Sequence, residues 1–190
     1  AKSSRPIVFS PDVMELDQPT KAWNWGDGSI DMPGIAVADV DGDGDLDFFL
    51  AATQENGGGA IWLNDGAGRF SRAGTIDQAT VSASFGDVDN DGDADLWIGG
   101  SERARLLEND GEGNFASEAF ADEPPPGSLT PLSRLLDLDS DGDLDLLAFR
   151  VSAGTVPASS DAAPAPSGVY RNNRDGTFEE MAETLGLRLD

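Results

Sequence analysis

Apolar residues along this chain come in short runs separated by acidic or glycine-rich stretches. IAVA at 35–38 and FFLAA at 48–52 flank one acidic stretch. VSASF at 81–85 and LWIGG at 96–100 flank a second, and LSRLL at 132–136 and LLAF at 146–149 a third. Runs of this length bounded by Asp, Asn and Gly read as strands. A helical period is absent apart from EEMAETLGL at 179–187.

A second pattern recurs in step: IWLNDGAGRF at 61–70, LLENDGEGNF at 106–115 and VYRNNRDGTF at 169–178. Asn-Asp-Gly and Arg-Asp-Gly between apolar residues are hairpin signals, because these residues accept the positive φ of tight turns. Each unit therefore reads strand, acidic loop, strand, connection, strand, tight turn, strand. This predicts four short antiparallel strands per unit and an all-β fold. Phe9, Phe70, Phe115 and Phe178 punctuate a single repeat domain over 1–190, with units of about 9–70, 70–115 and 115–178. Residues 179–190 read as the start of a further unit or a capping segment. Two inserts interrupt the rhythm. KAWNWGDGSIDMPG at 21–34 extends the first unit, and the Ala/Pro/Ser-rich 152–167 predicts a flexible excursion with Thr155, Ser159 and Ser160 as candidate O-glycosylation positions.

The acidic stretches are DVDGDGDLD at 39–47, DVDNDGDAD at 87–95 and DLDSDGDLD at 137–145. In an extended strand their alternate aspartates would line one face, roughly 7 Å apart, and repel one another. Wrapped around a hard cation, the same carboxylates attract a shared partner. Calcium takes six to eight oxygens, carboxylates and carbonyls foremost. Glycine at position 6 of every loop (Gly44, Gly92, Gly142) suits a sharp turn. Side-chain ligands are expected at positions 1, 3, 5 and 9, with position 7 offering its carbonyl: Asp39, Asp41, Asp43 and Asp47 in the first loop, with Asp45 through its backbone. About three calcium ions, one per loop, are expected. An EF-hand needs a bidentate Glu at position 12, where this chain has Leu50, Ile98 and Ala148. RTX arrays need tandem glycine-rich repeats rather than repeats about 50 residues apart, and magnesium prefers fewer protein ligands.

Composition sharpens this picture. Among 190 residues, 36 acids stand against 12 bases, a formal charge of -24. This balance argues against nucleic acid and anionic membrane surfaces as partners, since both need a basic footprint. The absence of Cys and His removes disulfides, thiolate and imidazole metal sites and triad chemistry. No apolar run approaches the length of a membrane span. The opening AKSSRPIVF carries no signal-peptide core and reads as a mature end or an arbitrary boundary.

GDVDNDGDADLWIGG at 86–100 resembles the FG-GAP repeat of integrin α-chain propellers, with GG where that family usually has AP. The acidic loops with the NDGxGxF turn resemble bacterial VCBS-type repeats of the same superfamily. The resemblance implies a β-propeller of four-stranded blades with a calcium loop between the first two strands of each. The family's metal positions carry over to Asp39, Asp41, Asp43, Asp45 and Asp47, to Asp87, Asp89, Asp91, Asp93 and Asp95, and to Asp137, Asp139, Asp141, Asp143 and Asp145. Closed propellers typically have four to eight blades, and three are visible here. The alternatives are a partial propeller cut from a longer parent chain, a ring completed by oligomerisation, and an open filament.

These features predict a calcium-stabilised extracellular or cell-surface module for adhesion, for protein or glycan interaction, or for self-assembly, and not an enzyme. The alternative is a fragment of a polysaccharide-active enzyme on a propeller scaffold. No carboxylate pair outside the loops, such as Glu102 with Glu108 or Glu179 with Glu180, has a base or nucleophile beside it. Trp23 and Trp25 are candidates for ligand or partner contact, or caps over an open core. Trp62 and Trp97 are expected in the core.

Overall fold

The computed structural model describes residues 23–25, 28–30, 34–52, 58–100, 104–122, 128–152, 167–175 and 177–186. Among these, every regular element is a strand. A small antiparallel hairpin pairs β1 (Trp23–Trp25) with β2 (Gly28–Ile30), Asn24 opposite Ser29. The side chains of Trp23 and Trp25 lie outside the description, as do Thr155, Ser159 and Ser160 of the Ala/Pro/Ser-rich insert.

Three four-stranded antiparallel sheets follow. The first holds β3 (Ile35–Ala38), β4 (Asp47–Leu50), β5 (Gly59–Asn64) and β6 (Phe70–Ile76). The second holds β7 (Ser82–Gly86), β8 (Asp95–Gly99), β9 (Ala104–Asn109) and β10 (Phe115–Asp122). The third holds β11 (Ser128–Leu136), β12 (Asp145–Ser152), β13 (Gly168–Asn172) and β14 (Phe178–Glu180). Strand order within each sheet is sequence order, a simple meander. The punctuating phenylalanines Phe70, Phe115 and Phe178 each open the outermost strand of their sheet. After β14 the chain makes one turn, closed by the Leu185 N–H on the Met181 carbonyl at 2.9 Å.

This meander puts two loops at the same end of each sheet. The acidic loop joins the first strand to the second, and the NDG-type loop joins the third to the fourth. Because the second and third strands are antiparallel, the second begins where the third ends. The loop pair therefore meets at one rim of the blade.

The sheets pack face to face. Ala36, Val40, Phe49 and Ile61 of the first blade form a core with Ala83, Leu96, Ile98 and Leu107 of the second. Val88, Trp97 and Leu106 of the second pack on Leu146 of the third, flanked by Leu135, Tyr170 and Phe178. Each blade thus presents one apolar face forward and one backward, as the two-residue strand period requires. Trp97 is fully buried and Trp62 is buried among the first blade's aromatics.

Among the described residues, no four-stranded sheet precedes the first blade's backward face. There Phe48 lies over Trp62 at 6.2 Å and meets Phe70 at 5.0 Å between ring centroids. Ile35 and Val37 on β3 stand 59% and 54% exposed, whereas Phe85, the counterpart of Val37 in the second blade, packs into the core. At the opposite end, Leu132, Leu138 and Phe149 of the third blade are exposed.

Candidate metal centres at the blade rims

Each acidic loop is shaped by its own aspartates accepting from backbone N–H groups ahead. Numbering from the first aspartate, position 1 accepts from position 6: Gly44 N–H to Asp39 Oδ2 at 2.9 Å, Gly92 to Asp87 at 3.1 Å, Gly142 to Asp137 at 3.1 Å. Those glycines have φ of 92°, 103° and 97°, a region that excludes most side chains. Position 3 accepts from position 5, as in Asp91 N–H to Asp89 at 3.1 Å. Position 5 accepts from position 7, as in Asp45 N–H to Asp43 at 2.9 Å. The chain is coiled by successive turns, which bring the carboxylates of positions 1 and 3 together in every loop.

Position 9 plays a different part. Asp47, Asp95 and Asp145 are buried. One oxygen of each accepts from the position-2 backbone, Val40, Val88 or Leu138, at 2.8–2.9 Å. The other accepts from the last residue of the third strand, Asn64, Asn109 or Asn172, at 2.8–3.0 Å. This carboxylate closes the acidic loop and clamps it to the neighbouring NDG loop. The transition from charge to apolar strand in the sequence marks this clamp.

Carboxylate oxygens converge in all three loops. Asp39, Asp41 and Asp43 offer one ligand atom each within 4.8 Å of one another, as do Asp87, Asp89 and Asp95, and Asp137, Asp139 and Asp145. Asp47 is outside the tight first group, and the position-5 residues Asp91 and Asp141 are outside the second and third. The position-7 side chains turn towards the NDG loop: a Cβ built on Gly66 would fall 2.3 Å from Asp45 Oδ2, and one on Gly111 2.5 Å from Asp93 Oδ2. Asp143 instead meets the guanidinium of Arg174.

The electrostatics match a site built for a cation. Burial pushes Asp95 up to about 6; the N–H donors of Val88 and Asn109 oppose the rise, and the charges of Asp89 and Asp91 add to it. Desolvation also raises Asp41 and Asp89, with neighbouring aspartates contributing. Two oxygens are more telling. Asp39 Oδ1 and Asp87 Oδ1 are buried without a hydrogen-bond partner. A buried carboxylate oxygen left without a donor is costly, and a cation held in the loop would supply the missing partner. The donor set, all oxygen, fits calcium.

Sequence reasoning missed the asparagines that close the third strands. Beyond its backbone bond, Asn109 donates its side-chain amide to the Val40 carbonyl of the preceding blade at 2.9 Å. Asn172 does the same to the Val88 carbonyl at 2.7 Å. Among the described residues, the side-chain amide of Asn64, in the first blade, reaches the Leu46 carbonyl of its own blade, at 3.3 Å. Their recurrence at one register in three units was the available signal. Between the second and third blades a cleft of about 530 Å³ opens at the same rim, lined by Asp89, Asn90, Glu108, Asp143, Arg174 and Phe178 among others.

Acidic loops that could hold a cation, at the rims of stacked four-stranded blades, define a β-propeller type of repeat. Residues 39–98 and 87–148 match the FG-GAP-like repeat, so the chain belongs to that family. No curated protein matches it. Among solved structures, it resembles a lectin of Agrocybe aegerita described for specific recognition of non-reducing terminal N-acetylglucosamine, at 21% identity and a TM-score of 0.51. The match covers 80% of this chain and 37% of the lectin chain, and the likeness is one of fold.

Proposed function

We propose that this chain is a calcium-stabilised extracellular module that binds a protein or glycan partner and carries no catalytic activity of its own. The observation that carries this reading is the pair of buried, unpartnered oxygens on Asp39 and Asp87, each inside an acidic loop. Calcium at millimolar extracellular levels fits modules of this kind, whose dissociation constants are on the order of 10⁻⁴–10⁻³ M. The Agrocybe aegerita lectin recognises terminal N-acetylglucosamine on a related fold, and the rim cleft beside Arg174 offers polar groups and the Phe178 ring to a ligand of that kind. The faces at either end are completed by a further copy or by more of a parent chain. Because ion binding to the folded state alone stabilises it by about 1.4 kcal/mol per tenfold excess over the dissociation constant, excess chelator lowers the melting temperature by many degrees. Calcium restores it and magnesium restores little. A melt unchanged by chelator overturns the calcium assignment, and a glycan array probed with and without calcium tests the partner class.

A further inference from the structure

The three loops are not equivalent. At the residue two past the closing asparagine, the first and second blades have Gly66 and Gly111, both at positive φ, with the position-7 carboxylate close above. The third blade has Arg174 there, also at positive φ, 62°. Its Nε donates to Asp143 Oδ2, and its Nη2 donates to the Asp141 carbonyl and stands 3.6 Å from Asp141 Oδ1. Asp143 is buried and takes a second donor from the preceding blade, Asn90 Nδ2 at 2.8 Å.

A second difference lies at position 1. Asp39 and Asp87 each keep one buried oxygen without a partner. Asp137 has both oxygens engaged, Oδ1 by the Asp141 N–H at 3.1 Å and Oδ2 by the Gly142 N–H at 3.1 Å. In the third loop, then, the guanidinium neutralises part of the charge and a backbone donor fills the oxygen that its counterparts leave open.

We propose that Arg174 is a tethered counter-cation of the third loop, so that the chain takes calcium tightly at the first two loops and only weakly at the third. This rests on the reading of the loops as calcium sites. A fixed positive charge a few ångströms from the carboxylates repels an incoming divalent ion, and Asp141 and Asp143 are held by it. Part of the side chain is solvated, which screens the effect. The affinity ratio expected is on the order of tenfold.

Calorimetric titration of the chelator-treated chain with calcium chloride tests this. Two tight steps and one step about tenfold weaker are expected in the unaltered chain. Asp139→Asn removes the weak step, whereas Asp41→Asn or Asp89→Asn removes a tight one. Arg174→Gln deletes the charge and keeps the Cβ, and Arg174→Gly restores the residue of the other two blades at a φ that glycine accepts readily. Both variants raise the third affinity to the level of the others. Three indistinguishable steps in the unaltered chain, or a third affinity unmoved by either variant, overturn the proposal while leaving the loops as calcium sites. No heat of calcium binding in any variant overturns the calcium reading itself.

Discussion

At the scale of single residues, the position-9 aspartates do two jobs. They form part of the carboxylate clusters in the second and third loops, and each accepts from two backbone N–H groups, both of them buried at Asp95 and one at Asp145. Asp95→Ala is therefore expected to destabilise the chain by about 2–4 kcal/mol even in excess chelator, because both donors remain buried after the acceptor is lost, and Asp145→Ala by less, because the Leu138 N–H can turn to water. Urea unfolding in chelator measures this, and a cost seen only with calcium would mean that the clamp is unimportant. The same residue links stability to pH. Asp95 is raised in the folded state to about 6 from 3.8, so the metal-free fold binds its proton more tightly than the unfolded chain. Its contribution is complete below pH 3.8 and is lost as pH rises through about 6. Urea midpoints of chelated protein across that window test the sign against an Asp95→Asn control.

At the scale of elements, the acidic loops and their flanking strands were legible because both are short-range patterns. The five alternating aspartates, the position-6 glycine and the apolar run after position 9 specify a loop between two strands with no long-range information. Asn109 and Asn172 were less legible. A closing asparagine in a hairpin looks like turn chemistry, and its second role depends on a carbonyl 69 or 84 residues away. Arg174 was hidden in the same way, since RDG reads as a tight turn and only the packed blade shows Asp143 beneath it. The side-chain amides give a graded expectation. Asn109→Ala and Asn172→Ala each leave a buried carbonyl of the preceding blade without its donor. Each should cost about 1–3 kcal/mol more than Asn64→Ala, whose side-chain amide, among the described residues, bonds within its own blade. Equal losses at all three positions, read from denaturation midpoints, would show that the contact between blades adds nothing.

At the scale of the whole molecule, the three blades follow one packing rule, and among the described residues it leaves a backward face on the first and a forward face on the third. Ile35 and Val37 at one end and Leu132, Leu138 and Phe149 at the other are among the large apolar residues it leaves in solvent. Sedimentation velocity over a range of concentrations is expected to show association that Val37→Glu abolishes, while the melting temperature of the dilute protein stays unchanged. A single molar mass at every concentration would mean that copies of this chain do not cover one another's ends. The stitches between blades also have a direction. Asn109 and Asn172 each reach back to a carbonyl made earlier in the chain, and both amides lie on the later segment. A ribosome delivers the amino-terminal portion first, so each acceptor has emerged before its donor exists. Assembly can then run as an ordered sequence in time, each blade docking onto a finished template.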